Sequence, residues 1–238
     1  MSTFKLPDRL SKFSSRISIV DDFGEYTYEQ LEIRSRFIAS NLLNNTMDLK
    51  EKRVAFIIPS SFDYVAVKLG IWLAGGISVP LCVTHPEREL DYVISDSQSE
   101  VVIYHKDYLN NIDALMKSNN VKFVEIGELL EKNEKVLPDV FDERRAMILY
   151  TSGTTSKPKG VVSTHKNIES QIISLVGAWK WSMDDYILNV LPLHHLHGIL
   201  NILLCSLWTG AKCKLKSRFD AQYVWNSFIN DDLTIFMG

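Results

Sequence analysis

Ten consecutive residues, Thr151-Ser152-Gly153-Thr154-Thr155-Ser156-Lys157-Pro158-Lys159-Gly160, concentrate five hydroxyl side chains, two ammonium groups and two glycines in one stretch. The apolar run Ala146-Met147-Ile148-Leu149-Tyr150 precedes it and Val161-Val162 follows, so the stretch reads as a loop between two strands. A strand that ends in a Gly- and hydroxyl-rich loop turns several backbone N–H groups toward one point, and such a concavity attracts anions. Gly153 and Gly160 are free to take positive φ and to let a ligand approach the backbone. The chemistry this favours is the grip of a polyphosphate, whose charge-assisted hydrogen bonds contribute about 1.5–3 kcal/mol each. The competing reading is a polar surface loop whose hydroxyls cap local turns. The loop is not a G-x-x-x-x-G-K-[ST] phosphate loop, because Pro158 stands where glycine is needed, and no G-x-G-x-x-G occurs in the chain.

The second stretch with chemical potential is Leu191-Pro192-Leu193-His194-His195-Leu196-His197-Gly198, which holds three of the six histidines. Three readings stand side by side. His195 and His197 share a face if the segment is extended, which would suit a metal. Histidine also holds a carboxylate, as a neutral donor or as a cation. The third reading is a strand-to-helix junction whose histidines cap backbone groups. No further Asp, His or Cys cluster stands at ligand spacing, which weighs against the metal.

The elements that position these stretches alternate in type. Strands are predicted at 17–20, 54–58, 77–82, 101–104 and 121–126. Helices are predicted from the Thr27-x-x-Gln30 capping box to about Asn45, over 62–74 and over 87–95. Beyond the loop, a helix over 166–181, an extended segment 186–191, a buried helix 199–208, a strand 211–215, a helix 221–229 and a strand 234–237 follow. The alternation implies an α/β fold, with largely parallel sheets and helices on both faces. The charge-rich segment 128–135 and Pro138 mark a solvated crossing, and divide a first α/β region, 1–145, from a second, 146–238.

Composition narrows the function classes. At 238 residues and 46% hydrophobic, the chain is able to bury a sizeable core. A net charge of −3 carries no electrostatic footprint for nucleic acid. Cys82, Cys205 and Cys213 form no C-x-x-C and leave an odd thiol, which fits a reducing compartment and core or pocket-lining roles. The uncharged stretches 70–84 and 186–211 are broken by Gly, Pro and His, so no membrane span is expected. The first residues have no apolar signal region but carry Lys5, Arg9, Lys12 and Arg16. A cytosolic location is therefore expected, with a mitochondrial one as the alternative.

Tyr150 through Gly160 resembles the phosphate-loop signature of the adenylate-forming, AMP-binding enzymes: acyl-CoA synthetases, luciferases and peptide-synthetase adenylation domains. The resemblance implies formation of an acyl-AMP from a carboxylic acid and ATP, then transfer to a thiol, with ATP, magnesium and coenzyme A as cofactors or substrates. It places the ATP phosphates on Thr151, Ser152, Gly153, Thr154 and Thr155, with Lys159 as the motif's lysine. Ser156 departs from the family's usual glycine; if that position needs positive φ, serine costs on the order of 1 kcal/mol. The histidine stretch, with Asn201 and Leu207-Trp208-Thr209-Gly210-Ala211, looks most like malonate–CoA ligases, which implies substrate-carboxylate roles for His197 and His195.

The resemblance covers only the N-terminal part of that fold. The magnesium-handling Tyr-Gly-x-Thr-Glu, the ribose-gripping Thr-Gly-Asp, the hinge and the small domain with the catalytic lysine have no counterpart in the 238 residues. An inactive fragment of a ligase for malonate or a related small dicarboxylate is therefore expected. A non-catalytic ATP- or phosphate-binding module and a fatty- or aromatic-acid ligase fragment remain as alternatives. A phosphotransferase lacks a recognisable metal-binding carboxylate after the loop.

Overall fold

The computed structural model of the chain describes residues 2–118, 120–151 and 157–237. In chain order the strands are β1 (Ile17–Asp21), β2 (Gly24–Thr27), β3 (Arg53–Ile57), β4 (Ile77–Pro80), β5 (Val101–Tyr104), β6 (Lys122–Glu125), β7 (Arg145–Thr151), β8 (Lys159–Thr164), β9 (Tyr186–Asn189), β10 (Lys212–Leu215) and β11 (Ile235–Phe236). The helices are α1 (Leu6–Leu10), α2 (Tyr28–Leu43), α3 (Phe62–Leu73), α4 (Glu87–Asp96), α5 (Leu109–Ser118), α6 (His165–Trp179), α7 (Cys205–Thr209) and α8 (Ala221–Asn230). A π-helix, His197–Leu204, runs directly into α7.

Two compact units result, both discontinuous in sequence. One comprises Met1–Thr3, Arg34–Pro59 and Ala66–His165, and the other Phe4–Ile33, Ser60–Val65 and Lys166–Gly238. The first contains a six-stranded sheet in the order β6-β5-β3-β4-β7-β8, and the second a five-stranded sheet in the order β11-β9-β10-β1-β2. Both sheets are parallel except for the pairs β7/β8 and β1/β2. The α/β architecture with largely parallel sheets thus agrees with the sequence pattern. The division at residue 145 differs: β7 and β8 lie in the first unit's sheet, because β7 pairs with β4 at Ser78↔Met147.

Local signals act where they were read. Thr27 and Gln30 close both bonds of the capping box: Thr27 N–H donates to Gln30 Oε1 at 2.8 Å, and Gln30 N–H to Thr27 Oγ1 at 3.1 Å. Leu31, Ile38 and Leu43 are fully buried along α2. Apolar side chains of β3, β4, β5 and β7 pack with Leu90, Val93 and Ile94 of α4 and Ile112 and Leu115 of α5 in one core cluster. Cys82, Cys205 and Cys213 are free and buried, and burial pushes the Cys205 and Cys213 thiols up to about 12. Among the described residues, no helix is long and apolar enough to cross a membrane.

The start of β7 is clamped by ions. Arg144 makes a bidentate pair with Asp48 (Nη1 to Oδ2 and Nη2 to Oδ1, both 2.9 Å), and its Nη2 also donates to Gly75 O at 2.6 Å. Gly75, at φ +78°, ends α3; a Cβ there would lie 2.3 Å from Asp48 Oδ1, so only glycine fits. Arg145 is held by Glu51, whose carboxylate accepts from the Arg145 backbone N–H at 2.7 Å and from Nη2 at 2.6 Å. Lys50 and Glu51 occupy the left-handed region at φ 51° and 63°. Lys50 N–H to Asp48 Oδ1 (2.7 Å) and Glu51 N–H to Gly75 O (2.8 Å) hold them there.

Burial raises the Asp48 pKa, but the hydrogen bonds and charge of Arg144 together with Lys50 N–H outweigh it, leaving the group below its ordinary value. Hydrogen bonds from Arg145 chiefly lower Glu51, against a smaller burial effect. Both carboxylates bind protons less readily folded than unfolded. Their stabilisation is present above the ordinary carboxylate pKa and is lost as pH falls through the lowered folded values. Arg144→Met should cost about 1–3 kcal/mol in urea unfolding at neutral pH, with a smaller difference from the parent chain in acid.

Candidate functional site

The hydroxyl-rich loop is carried by the β7–β8 hairpin. The antiparallel register pairs Tyr150 with Gly160 and Thr151 with Lys159, which brings the loop's two ends side by side at the sheet edge. Thr151 and Lys159 are both exposed there. Ser152, Gly153, Thr154, Thr155 and Ser156 lie outside the described residues. Tyr92 supports the loop's exit: its hydroxyl donates to Pro158 O at 2.9 Å, and Lys157 Nζ sits 5.5 Å from its ring centroid. Tyr150, edge-on to Tyr92 at 6.2 Å, donates its hydroxyl to Asp96 Oδ2 at 2.7 Å. Burial, then the hydrogen bond and charge of Asp96, raise the Tyr150 pKa, so it serves as a neutral donor.

Gly160 plays a different part from the one its sequence position suggested. It is a β8 residue paired with Tyr150, and positive φ does not occur there. A Cβ at this point would lie 3.0 Å from Ile148 Cγ2 and 3.2 Å from Tyr150 Cζ, so glycine makes room for the tyrosine ring.

The histidine stretch belongs to the second unit and is a junction between β9 and the π-helix. His195 N–H donates to Pro192 O at 3.2 Å, and Ile199 N–H to His195 O at 3.2 Å, so the chain turns before the helix begins at His197. His195 and His197 therefore do not lie along one extended strand, and the metal reading loses the geometry that motivated it. Both are exposed, whereas His194 is half-buried. Burial lowers the His194 pKa, and its ring lies 4.1 Å from that of His195.

Asn189, at the end of β9, holds the turn together. Its Nδ2 donates to Gly198 O at 3.0 Å and its Oδ1 accepts from Leu191 N–H at 3.1 Å. Tyr64 Oη donates to Leu193 O. A Cβ on Gly198 would come 2.9 Å from Pro192 O and 3.2 Å from Leu191 O and Cβ, so the helix approaches the turn this closely only at glycine. The helix opens with the wider π turn, a form often found beside functional sites. Asn201 Oδ1 and Trp181 Nε1 are buried without a hydrogen-bond partner among the described residues.

Sequence reasoning did not reach Asn189, Tyr64 or Tyr92. Asn189 carried one signal, a lone amide in the apolar run Tyr186 to Leu191; the tyrosines carried none.

The sequence model described as AMP-binding enzyme matches residues 6–238. The chain belongs to this family. Within the AMP-binding enzymes, it is 39% identical to the mitochondrial malonate–CoA ligase of Homo sapiens over 244 residues, covering 97% of this chain and 42% of that protein. It is 30% identical to the malonate–CoA ligase of Arabidopsis thaliana over 275 residues, covering all of this chain and 45% of that protein. The ATP-bound structure of MatB from Rhodopseudomonas palustris superposes with a TM-score of 0.88 at 25% identity, covering 100% of this chain and 49% of that one. The chain thus spans less than half the length of these AMP-binding enzymes, and its fold is that of their N-terminal region.

The close approach at Gly198 gives a direct test of the turn. Gly198→Ala should destabilise the second unit by about 1–3 kcal/mol through overpacking against Leu191 and Pro192. Thermal unfolding monitored by tryptophan fluorescence measures it, and Asn189→Ala should have a similar effect.

Proposed function

We propose that the chain supplies the phosphate-loop region of an ATP-dependent carboxylate–CoA ligase that acts on malonate or a related small dicarboxylate. One observation carries the reading: AMP-binding family membership over residues 6–238, joined to 39% identity with a malonate–CoA ligase across almost the whole chain. In this reading, Thr151, Ser152, Gly153, Thr154 and Thr155 hold the ATP phosphates and Lys159 assists them with charge. The antiparallel register supports the grouping, since it sets Lys159 opposite Thr151. His197, exposed at the start of the π-helix, and His195, exposed in the turn before it, are the substrate-binding pair for the acid's second carboxylate. Magnesium accompanies ATP, and coenzyme A is the acyl acceptor. Similarity to mitochondrial malonate–CoA ligases of vertebrates supports the mitochondrial location over the cytosolic one.

The alternative reading is a module that binds ATP or another phosphate without completing the reaction. One experiment separates the two. The purified chain is titrated with magnesium-ATP by calorimetry, with and without malonate, then incubated with ATP, magnesium, malonate and coenzyme A, and the products are weighed by mass spectrometry. Malonyl-AMP or malonyl-CoA establishes the ligase and overturns the expectation of an inactive fragment. Without either product, ATP binding that malonate tightens supports the ligase fragment, and ATP binding indifferent to malonate supports the binding module. No ATP binding overturns both.

The histidine assignment has its own expected outcome. His197→Ala should weaken malonate binding in the presence of magnesium-ATP roughly tenfold or more, the equivalent of one charge-assisted hydrogen bond. Acetate, which lacks the second carboxylate, should be unaffected, and malonate-dependent thermal stabilisation reads out the difference.

A further inference from the structure

The first unit buries an amine that the ligase reading does not use. Lys68, on α3, is wholly buried, and its Nζ lies 3.3 Å from Ser78 Oγ of β4, 3.1 Å from Met147 Sδ of β7 and 4.7 Å from the Trp72 ring centroid. Among the described residues, Lys68 has no carboxylate partner. The same pocket fastens β7 to the sheet. Trp72 Nε1 donates to Ala146 O at 2.6 Å, Ser78 Oγ donates to Ala146 O at 3.1 Å, and Ser78 and Met147 are the one register pair between β4 and β7.

Counting donors fixes the form of the amine that fits. An uncharged amine has two N–H groups, and Ser78 Oγ and Met147 Sδ accept both; an ammonium has a third, left facing only the indole ring. An indole face compensates a buried charge poorly compared with water or a carboxylate. Burial accordingly lowers the Lys68 pKa to about 7. The titratable group facing the cluster is His165, at the start of α6 and edge-on to Trp72 at 5.4 Å. Burial, then the charges of Arg144 and Lys68, bring His165 down to about 3 against the opposing effects of Glu51 and Asp142, so it stays neutral.

We propose that Lys68 is a positioning residue for the phosphate loop: as a neutral amine it fastens the strand that launches the loop, and its protonation loosens that strand and weakens nucleotide binding. The second half of this statement rests on the ATP reading above; the first half does not. The strand state with a solvated Lys68 takes up the proton at an ordinary lysine pKa, whereas the fastened state resists it. Acidification from the ordinary lysine range down to about pH 7 therefore favours the loosened state, and the effect levels off below that.

Amide hydrogen exchange tests the strand and calorimetry tests the nucleotide, with the full chain at about pH 6 and about pH 8.5 and exchange corrected for its chemical rate. In the parent chain, protection over residues 145–151 and 159–164 should fall roughly tenfold to thirtyfold at the lower pH, and the magnesium-ATP dissociation constant should rise in parallel. Lys68→Gln keeps an NH2 with two N–H donors and does not titrate, and Lys68→Met keeps the length without titrating. In both variants the pH-dependent part of the change should vanish. A parent chain whose hairpin protection is indifferent to pH, or variants that retain the full dependence, overturn the proposal. If ATP binds at neither pH, the nucleotide reading fails, while the exchange result still decides whether Lys68 controls the strand.

Discussion

Strand β7 meets β4 through one register pair, Ser78↔Met147, and side chains complete its attachment to the sheet. Arg144 and Arg145 anchor its first residues to Asp48 and Glu51, and Trp72 and Ser78 share the Ala146 carbonyl. The β7–β8 hairpin and the loop ends at Thr151 and Lys159 depend on this fastening, because β8 reaches the rest of its sheet through β7. Asp48 links several of these contacts at once: it fixes Arg144, holds Lys50 in a left-handed conformation and lies against Gly75, whose positive φ favours glycine.

The second unit solves a comparable problem by close approach. Asn189 adds two hydrogen bonds to the backbone bonds of the histidine turn, one on each side of the turn. Gly198 lets the π-helix start within van der Waals distance of Pro192. The outcome is a turn that leaves His195 and His197 exposed while His194 is drawn partly inward.

Much of this was legible in the chain's residues. Alternating apolar runs and capping signals located the strands and most helices, because each of those elements is decided locally, by the Thr27–Gln30 box or by Gly75 after α3. The loop stood out in the chain because hydroxyls, glycines and lysines gather there between two apolar strands. What remained hidden was long-range. No local pattern announces that Arg144 reaches Asp48, that Tyr92 caps Pro158, or that Lys68 ends among Ser78, Trp72 and Met147. The antiparallel return of β8 was equally hidden, and with it the steric role of Gly160. The discontinuity of the two units was hidden for the same reason: strand pairing, not chain order, decides which unit a segment joins.

The three cysteines carry a practical consequence. Cys82 lies in the first unit and Cys205 and Cys213 in the second, all buried, with the latter two thiols held far from ionisation at neutral pH. A sulfur that is neither accessible nor ionised reacts with a maleimide only when its surroundings open. The chain therefore contains its own clocks, one in the first unit and two in the second. Their labelling rates report local opening around each thiol, without any engineered probe.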